Sequence, residues 1–299
     1  MLSSHATKVP PAAGMSLALV GVVVAMASIQ TGAAIGKSLF PAVGPAGATT
    51  LRLVFASLIL AVVWRPWRHL PPRGAWRAIL LYGAALGGMN LLFYMSLARI
   101  PLGVAVALEF TGPLAVAVAG SRRLLDWLFV AMAVVGVALL LPFHGAAEDL
   151  DLIGAGYALA AGACWAVYIL FGQKSGAQVH GGAAAALGMI IASCVALPVG
   201  IAQAGADLLS WSLVPVALAV AVLSSALPYS LEMLALKRLP TQTFSILMSG
   251  EPALGALSGL IILGEHLTVS QWLAIGLVVA ASAGSSLSAQ RKASPEILT

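Results

Sequence analysis

Apolar residues run along most of the chain in segments of about twenty, separated by short stretches that carry turn-forming or charged residues. A segment of this length crosses the hydrocarbon core of a bilayer as a helix, whereas a transmembrane strand needs only about ten alternating residues. Because the segments are apolar throughout, the pattern predicts helices and excludes a strand-based barrel. Ten membrane spans are expected, at residues 15–35, 46–64, 77–97, 102–120, 125–142, 152–172, 183–203, 212–233, 241–263 and 269–288.

The distribution of basic residues predicts the orientation of these spans. With the amino terminus in the cytoplasm, only Lys37 and Arg99 fall on the outside, and Arg52 lies within the second span. The remaining basic residues all fall on the inside: Lys8, Arg65, Arg68, Arg73, Arg77, Arg122, Arg123, Lys174, Lys237, Arg238, Arg291 and Lys292. This asymmetry predicts that both termini are cytoplasmic, in tails 1–14 and 289–299. The net charge of +5 therefore reflects membrane topology and not nucleic-acid binding.

Composition excludes several classes of protein. Hydrophobic residues make up 61% of the 299 residues and charged residues only 8%, which is too few charges to cover the surface of a soluble domain. Cys164 and Cys194 lie in apolar stretches, so neither a disulfide framework nor a metal site is indicated. The chain also lacks a phosphate-binding GxxxxGK[ST] loop and the HExxH and GxSxG motifs. We therefore expect no cofactor and no catalysis, and an ion or solute gradient as the energy source.

The chain contains an internal repeat. SLARIPLGVAVALEFTGPLAVAVAG in the first half resembles LALKRLPTQTFSILMSGEPALGALSG in the second, and in each copy two prolines lie twelve residues apart. The repeat divides the chain into two five-span units, 15–142 and 152–288. Because five is odd, the second unit enters the membrane from the opposite side. Such an inverted-topology repeat is typical of transporters that alternate access around a site at the membrane midplane.

Four charged residues are predicted at membrane depth, where an unpaired charge costs at least about 2.5 kcal/mol on insertion scales. They are Arg52, Glu109, Glu232 and Glu251. Glu109 and Glu251 lie beside prolines in the two repeated helices, at nearby but not equivalent positions, and are the candidates for proton coupling. Glu232 is expected at the inner interface near Lys237. The alternative is structural, with Arg52 as an ion-pair partner of either acid.

The quoted segments and others resemble the drug/metabolite transporter superfamily, EamA type. The similarity is carried by VAMASIQTGAAIGKSLFPAVG, GGMNLLFYMSLARIPLGVAVALEFTGPLAVAV, GACWAVYILFGQKSGA, SSALPYSLEMLALKRLPTQTF and MSGEPALGALSG. Within that superfamily these segments are most similar to the threonine and homoserine exporters of the bacterial inner membrane. The resemblance implies a ten-helix fold with a central cavity and proton-driven efflux of small neutral amino acids. Carried onto this sequence, the cavity candidates are Gln30, Asn90, Tyr94, Glu109, Trp165, Tyr168, Tyr229 and Glu251.

The working hypothesis is that a zwitterionic amino acid binds between the two units. Its ammonium group would lie near Glu109 or Glu251, and its carboxylate near Arg52 or the amides of a broken helix. A substrate hydroxyl would bond to Asn90 or Tyr94. Two alternatives stay open: the same fold with another cargo (aromatic amino acids, cysteine metabolites, purines or a drug), and, more remotely, a membrane enzyme or sensor. Whether the protein is a monomer or a homodimer is also open.

Overall fold

The computed structural model describes residues 12–68, 70–119, 124–140, 151–176, 181–236, 239 and 241–290, and within these ranges the chain forms helices and no strand. The helices are α1 (Ala12–Lys37), α2 (Phe40–Trp64), α3 (Trp76–Leu97), α4 (Leu102–Glu109), α5 (Thr111–Ala119), α6 (Leu124–Leu140), α7 (Leu152–Gly176), α8 (Gly181–Ala204), α9 (Val214–Ala221), α10 (Leu227–Leu236), α11 (Thr241–Met248), α12 (Glu251–Ser258) and α13 (Val269–Gln290). The acidic loop residues Glu148 and Asp149 and the basic residues Arg122, Arg123, Lys237 and Arg238 lie outside the described residues.

Each of the ten predicted apolar segments is helical over most of its described residues, which confirms the helical class. Six stretches are long and apolar enough to cross a membrane, and four shorter apolar helices accompany them, at Leu102–Val116, Trp127–Leu140, Trp211–Ala226 and Val269–Ser285. Large apolar side chains such as Leu17, Val62 and Ile261 are exposed on the surface of the bundle. In water such a surface would be unfavourable, whereas it suits a protein surrounded by lipid.

Proline interrupts three of the predicted spans because it cannot donate the backbone hydrogen bond of a helix. Pro113 follows the junction of α4 and α5, and Pro252 follows the Ser249–Gly250 turn between α11 and α12. Pro228 follows a π-helical turn, Val222–Ala226, which joins α9 to α10. A second π-helical turn, Gly259–Leu263, ends α12. The working hypothesis already included a helix broken by proline beside Glu109 or Glu251, whereas the apolar pattern did not indicate the π-helical turn before Pro228.

The start of α2 is also bent. Gly44 adopts a left-handed backbone conformation (φ 67°), which a residue with a side chain rarely takes, and Pro45 follows it. The amide of Ala46, freed by the bend, donates a hydrogen bond of 2.7 Å to Oε1 of Gln203 on α8. Inside lipid no water can bond a freed backbone amide, so a bend there requires a hydrogen-bond partner on another helix.

Helices of the first half pair with helices of the second. α3 packs on α7, α1 on α10, α2 on α8, α6 on α13, and α4 on α12. Small residues allow the closest approaches: Gly83 and Gly87 lie against α8, as their small-xxx-small spacing predicts. At the α4–α5 junction, the backbone of Gly112 contacts that of Gly162 on α7 so closely that neither position has room for a side chain.

Candidate functional site

A cavity of about 260 Å³ lies between the two halves of the chain. Among the lining residues are most of the polar residues predicted from the sequence: Gln30, Arg52, Asn90, Glu109, Trp165, Tyr168 and Glu251. These side chains come from six different helices, α1, α2, α3, α4, α7 and α12. Residues spread over more than two hundred positions of sequence therefore meet in one place.

Glu109 is the last residue of α4 and is buried. Pro113 has no N–H group, so the Glu109 carbonyl loses its usual helical partner four residues later. Thr111 bonds back within the junction, donating 2.6 Å to the carbonyl of Leu108. Both Arg52 and Glu251 are close enough to act electrostatically on the Glu109 carboxyl group. The acid thus lies at the cavity wall, and its backbone carbonyl packs against Gly162 on α7.

Glu251 is the first residue of α12 and is also buried. Its Oε1 accepts a hydrogen bond of 3.1 Å from Nε2 of Gln30 on α1. Its other oxygen, Oε2, and the Oε1 atom of Gln30 have no hydrogen-bond partner among the described residues. The two acids thus differ in position, because Glu109 is the last residue of α4 and Glu251 is the first residue of α12. The helix dipole favours an anion at the start of a helix, which is the position of Glu251.

Arg52 lies on α2 and lines the same cavity with 8% of its surface exposed. The ion pairs between described residues, within 4.0 Å, are Lys37–Glu265 and Arg99–Asp151, so Arg52 is in neither. Its guanidinium instead lies over the ring of Tyr94, 5.3 Å from the ring centre. The direct ion pair between Arg52 and Glu109 or Glu251, the structural alternative from the sequence, is absent from these contacts.

Tyr94 does not line the cavity. The side chain is fully buried behind Arg52, with its ring next to those of Phe40 and Phe93. The family resemblance implied that Tyr94 lines the cavity, and the working hypothesis made it a possible partner of a substrate hydroxyl. The structure instead turns its ring toward α1 and α2.

The other candidates are distributed as follows. Nδ2 of Asn90 donates 2.8 Å to the carbonyl of Leu86 one turn earlier. Trp165 meets Phe110 edge to face at 5.2 Å, and Tyr168 stacks on Tyr82 at 4.9 Å, so both aromatic walls are braced by a second ring. Tyr229 lies on α10, but its side chain falls outside the described part of the structure.

Three polar lining residues were not among the sequence-based candidates: Ser224, Ser225 and Glu232. Glu232 was expected at the inner interface, but the structure places it on the cavity wall, near enough to Glu251 to act on it electrostatically. Ser224 and Ser225 belong to the π-helical turn, where Oγ of Ser224 bonds to the carbonyl of Val220 at 2.6 Å. Pro228, four residues after Ser224, is the signal that could have indicated this break.

Three carboxyl groups line the cavity, those of Glu109, Glu232 and Glu251. No group of three or more His, Cys, Asp or Glu side chains with the geometry to hold a metal ion occurs among the described residues. The charged and amide side chains that line the cavity are instead one cation, three carboxyl groups and two amides. This set suits an organic ligand that carries both an ammonium and a carboxylate group.

Four charged residues at one end of the bundle, Lys37, Arg99, Asp151 and Glu265, form what we call the Lys37 face. Nζ of Lys37 lies 2.7 Å from Oε1 of Glu265, and Oε2 of Glu265 accepts 2.7 Å from the amide of Leu102, the first residue of α4. Glu265 thereby ties the end of α1 and the start of α4 to the segment that follows α12.

The second ion pair of this face joins Arg99 and Asp151, 2.6 Å apart. Asp151 also accepts hydrogen bonds from the amides of Ile153 and Gly154 at the start of α7. The hydrogen bond from Arg99, followed by that from Gly154, lowers the pKa of Asp151 below its ordinary value. This aspartate therefore serves both as an ion-pair partner and as a cap of α7.

Comparison with known proteins places the chain in a family. Residues 152–287 match the model of the EamA-like transporter family. The threonine/homoserine exporter RhtA of Escherichia coli (strain K12) is 54% identical over 276 residues, which are 92% of this chain and 93% of that protein. The protein of the same name in Salmonella typhimurium (strain SL1344) is also 54% identical over the same shares.

A solved structure, titled only as the crystal structure of a protein, shares the fold. It has a TM-score of 0.58 and 17% sequence identity, and the match covers 92% of this chain and 99% of that one. From the matched family model and the length and identity of the relatives, the chain belongs to the EamA-like transporter family.

Proposed function

We propose that this protein exports threonine, homoserine and similar small neutral amino acids across the bacterial inner membrane, coupled to proton entry by alternating access. The relatives named as threonine/homoserine exporters align over 92% of the chain at 54% identity, which supports a common cargo. The observation that carries the proposal is the cavity, in which a buried arginine not paired with an acid shares one chamber with three carboxyl groups.

The composition and size of the cavity suit a small zwitterion. Arg52 would bind the substrate carboxylate through its guanidinium fork, and Glu109 or Glu251 the ammonium group. The volume of about 260 Å³ lies below the roughly 300 to 1,000 Å³ of sites for drug-sized ligands. Asn90 uses one of its two amide N–H groups to bond the carbonyl of Leu86. Its second N–H group and its oxygen can bond a substrate hydroxyl.

The packing of the helices supports an inverted repeat. If the two halves are related by a two-fold axis in the membrane plane, the first five spans exchange with the last five in order. The contact of α3 with α7 then maps onto that of α1 with α10, and both are present. The contacts α2 with α8, α6 with α13, and α4 with α12 map onto themselves. This is the symmetry that alternating access exploits.

The orientation that the basic residues predict assigns the two ends of the bundle. It puts the Lys37 face outside, where Glu265 ties α1 and α4 to the segment after α12. These helices also carry Gln30, Glu109 and Glu251. The described form is then one whose outer end is held closed, and the release of Glu265 would belong to the step that opens the cavity outward.

Proton coupling would follow from competition for a carboxylate. A proton arriving from outside neutralises Glu109 or Glu251, which removes the attraction for the substrate ammonium and promotes release. Return of the protonated carrier and loss of the proton inside restore the substrate site. Uncoupled efflux would need no titratable group in the cavity.

The test is efflux of labelled threonine from preloaded cells that carry Glu109→Gln or Glu251→Gln at matched expression. Because glutamine keeps the shape but cannot lose a proton, we expect efflux to fall at least about tenfold in one of them and to lose its dependence on external pH. Asp207→Asn, an exposed acid outside the cavity, is the matched control and should match the wild type. Full, pH-dependent efflux in both glutamine variants would overturn the coupling scheme.

The cargo is tested separately from the coupling. Cells that produce the protein should grow in inhibitory concentrations of threonine or homoserine, whereas cells with Arg52→Gln should not. Protection against aromatic amino acids, cysteine metabolites, purines or drugs without protection against threonine would instead favour the same fold with another substrate.

A further inference from the structure

We propose that Tyr94 is a positioning residue, whose ring holds the Arg52 guanidinium at the cavity wall so that its N–H groups face a substrate carboxylate. The inference rests on the proposed function, because it concerns the same cavity. It assigns Tyr94 a role different from the direct substrate contact that the sequence suggested.

Arg52 needs a partner for its charge. It is 8% exposed, it lines the cavity, and its Nε has no hydrogen-bond partner among the described residues. An arginine at membrane depth is costly unless another group stabilises it. Glu109 and Glu251 line the same cavity, yet neither forms one of the ion pairs that the described residues contain.

The ring of Tyr94 supplies that stabilisation. The guanidinium carbon of Arg52 lies 5.3 Å from the ring centre, within the range of a cation–π contact. The ring is fixed in place because it has no exposed surface and contacts Phe40 at 5.8 Å and Phe93 at 6.1 Å between ring centres. Its hydroxyl has no hydrogen-bond partner among the described residues, so the contact depends on the ring and not on the hydroxyl.

The chemistry of this pair explains why a ring stands here and not an acid. A carboxylate beside Arg52 would occupy the N–H donors that a substrate carboxylate requires. An aromatic face attracts the cation through its quadrupole and leaves those in-plane donors free. Tyr94 therefore stabilises the guanidinium of a buried arginine and leaves it available to an anionic group.

Gly36 on α1 leaves the room that this arrangement needs. A methyl group added there would lie 2.5 Å from the hydroxyl oxygen of Tyr94 and 3.1 Å from its ring. Gly36→Ala should therefore displace the ring without touching a residue that lines the cavity. Gly21→Ala, on the same helix with no atom within 4 Å of the added group, is the matched control.

The experiment measures binding of labelled threonine to the purified transporter, and its displacement by unlabelled threonine and by threoninol, which lacks the carboxylate. We expect Tyr94→Phe to bind threonine within about twofold of the wild type, because the ring remains. Tyr94→Leu should weaken threonine binding about tenfold and leave competition by threoninol unchanged. Gly36→Ala should weaken threonine binding in the same direction, and Gly21→Ala should not.

The double variant separates positioning from general loss of structure. If Tyr94 acts through Arg52, Arg52→Gln with Tyr94→Leu should bind threonine no more weakly than Arg52→Gln alone. An additive loss in the double variant, or wild-type affinity in Tyr94→Leu, would overturn the role of Tyr94 while leaving the cargo intact. Absence of threonine binding to the wild-type protein would overturn the proposed substrate, and the role of Tyr94 with it.

Discussion

The two ends of the bundle hold their basic residues in different ways. On the Lys37 face, both basic residues are paired with acids across short distances, 2.7 Å for Lys37 with Glu265 and 2.6 Å for Arg99 with Asp151. At the other end, Arg65, Arg68, Arg73, Arg77 and Lys174 are exposed, and none forms an ion pair with another described residue. One end uses its cations to join helices, and the other presents them to the surroundings.

This difference explains the charge asymmetry in structural terms. Unpaired basic residues next to the membrane favour the cytoplasmic leaflet, where anionic lipids attract them. Lys37 and Arg99, the two exceptions in the sequence, are the two that acids neutralise. At the opposite end, the Nζ atom of Lys174 lies over the ring of Phe171, 5.0 Å from the ring centre. Lys37 is thus held by an acid, whereas Lys174 lies against an aromatic ring.

The strongest way to break this comparison is to prevent the Lys37 face from opening. Lys37→Cys with Glu265→Cys, in a protein with Cys164 and Cys194 replaced by serine, can be joined by a short bifunctional methanethiosulfonate. We expect the link to abolish threonine efflux, because α1 can no longer separate from the segment after α12. Reduction of the link should restore efflux, measured in the same preloaded cells.

The matched control uses the other ion pair of the same face. Arg99→Cys with Asp151→Cys joins the loop after α3 to the start of α7, two helices that pack along each other. This link should leave most of the efflux intact. Full efflux through the protein linked at positions 37 and 265 would contradict an opening step at Glu265.

A milder change sharpens the comparison. Glu265→Gln removes the charge that attracts Lys37, but its amide oxygen still accepts the hydrogen bond from Leu102. Loss of a partly buried ion pair of about 1 kcal/mol should raise the population open at this face roughly fivefold. Ala33→Cys, on the cavity wall one turn before Lys37, should then react faster with a membrane-impermeant maleimide added outside. Equal labelling rates with and without the Glu265→Gln substitution would argue that the Lys37–Glu265 ion pair does not hold this face closed.

The sequence predicted the helical class and most of the polar cavity because these depend on local properties. Apolar segment length determines the helices, and charges at membrane depth must face something other than lipid. Two of these charged residues, Glu109 and Glu251, line one cavity together with Gln30 and Asn90, which the family resemblance had indicated.

The sequence could not predict features that depend on the direction of side chains or on which helices contact each other. The family resemblance assigned Tyr94 to the cavity, but the structure packs its ring between α1 and α2, with Arg52 over its face. Glu232 was assigned to the inner interface because it lies near Lys237 at the end of the eighth span, but it lines the cavity. The link from Glu265 to Leu102 joins positions 163 residues apart, which no local pattern reveals.

The smallest expected effect concerns the pair of Arg99 and Asp151, and it is a matter of stability and not of transport. Because the pKa of Asp151 is lowered in the folded protein, its stabilising contribution is complete above its ordinary value of 3.8 and is lost as the pH falls through the lowered value. Asp151→Asn keeps the cap of α7 and removes the charge. We expect its melting temperature in detergent to lie about 1 to 2 °C below that of the wild type. That gap should stay constant from neutral pH to about pH 5 and narrow only in stronger acid. A gap that changed between neutral pH and about pH 6 would mean that a different group, and not Asp151, controls the pH dependence of this face.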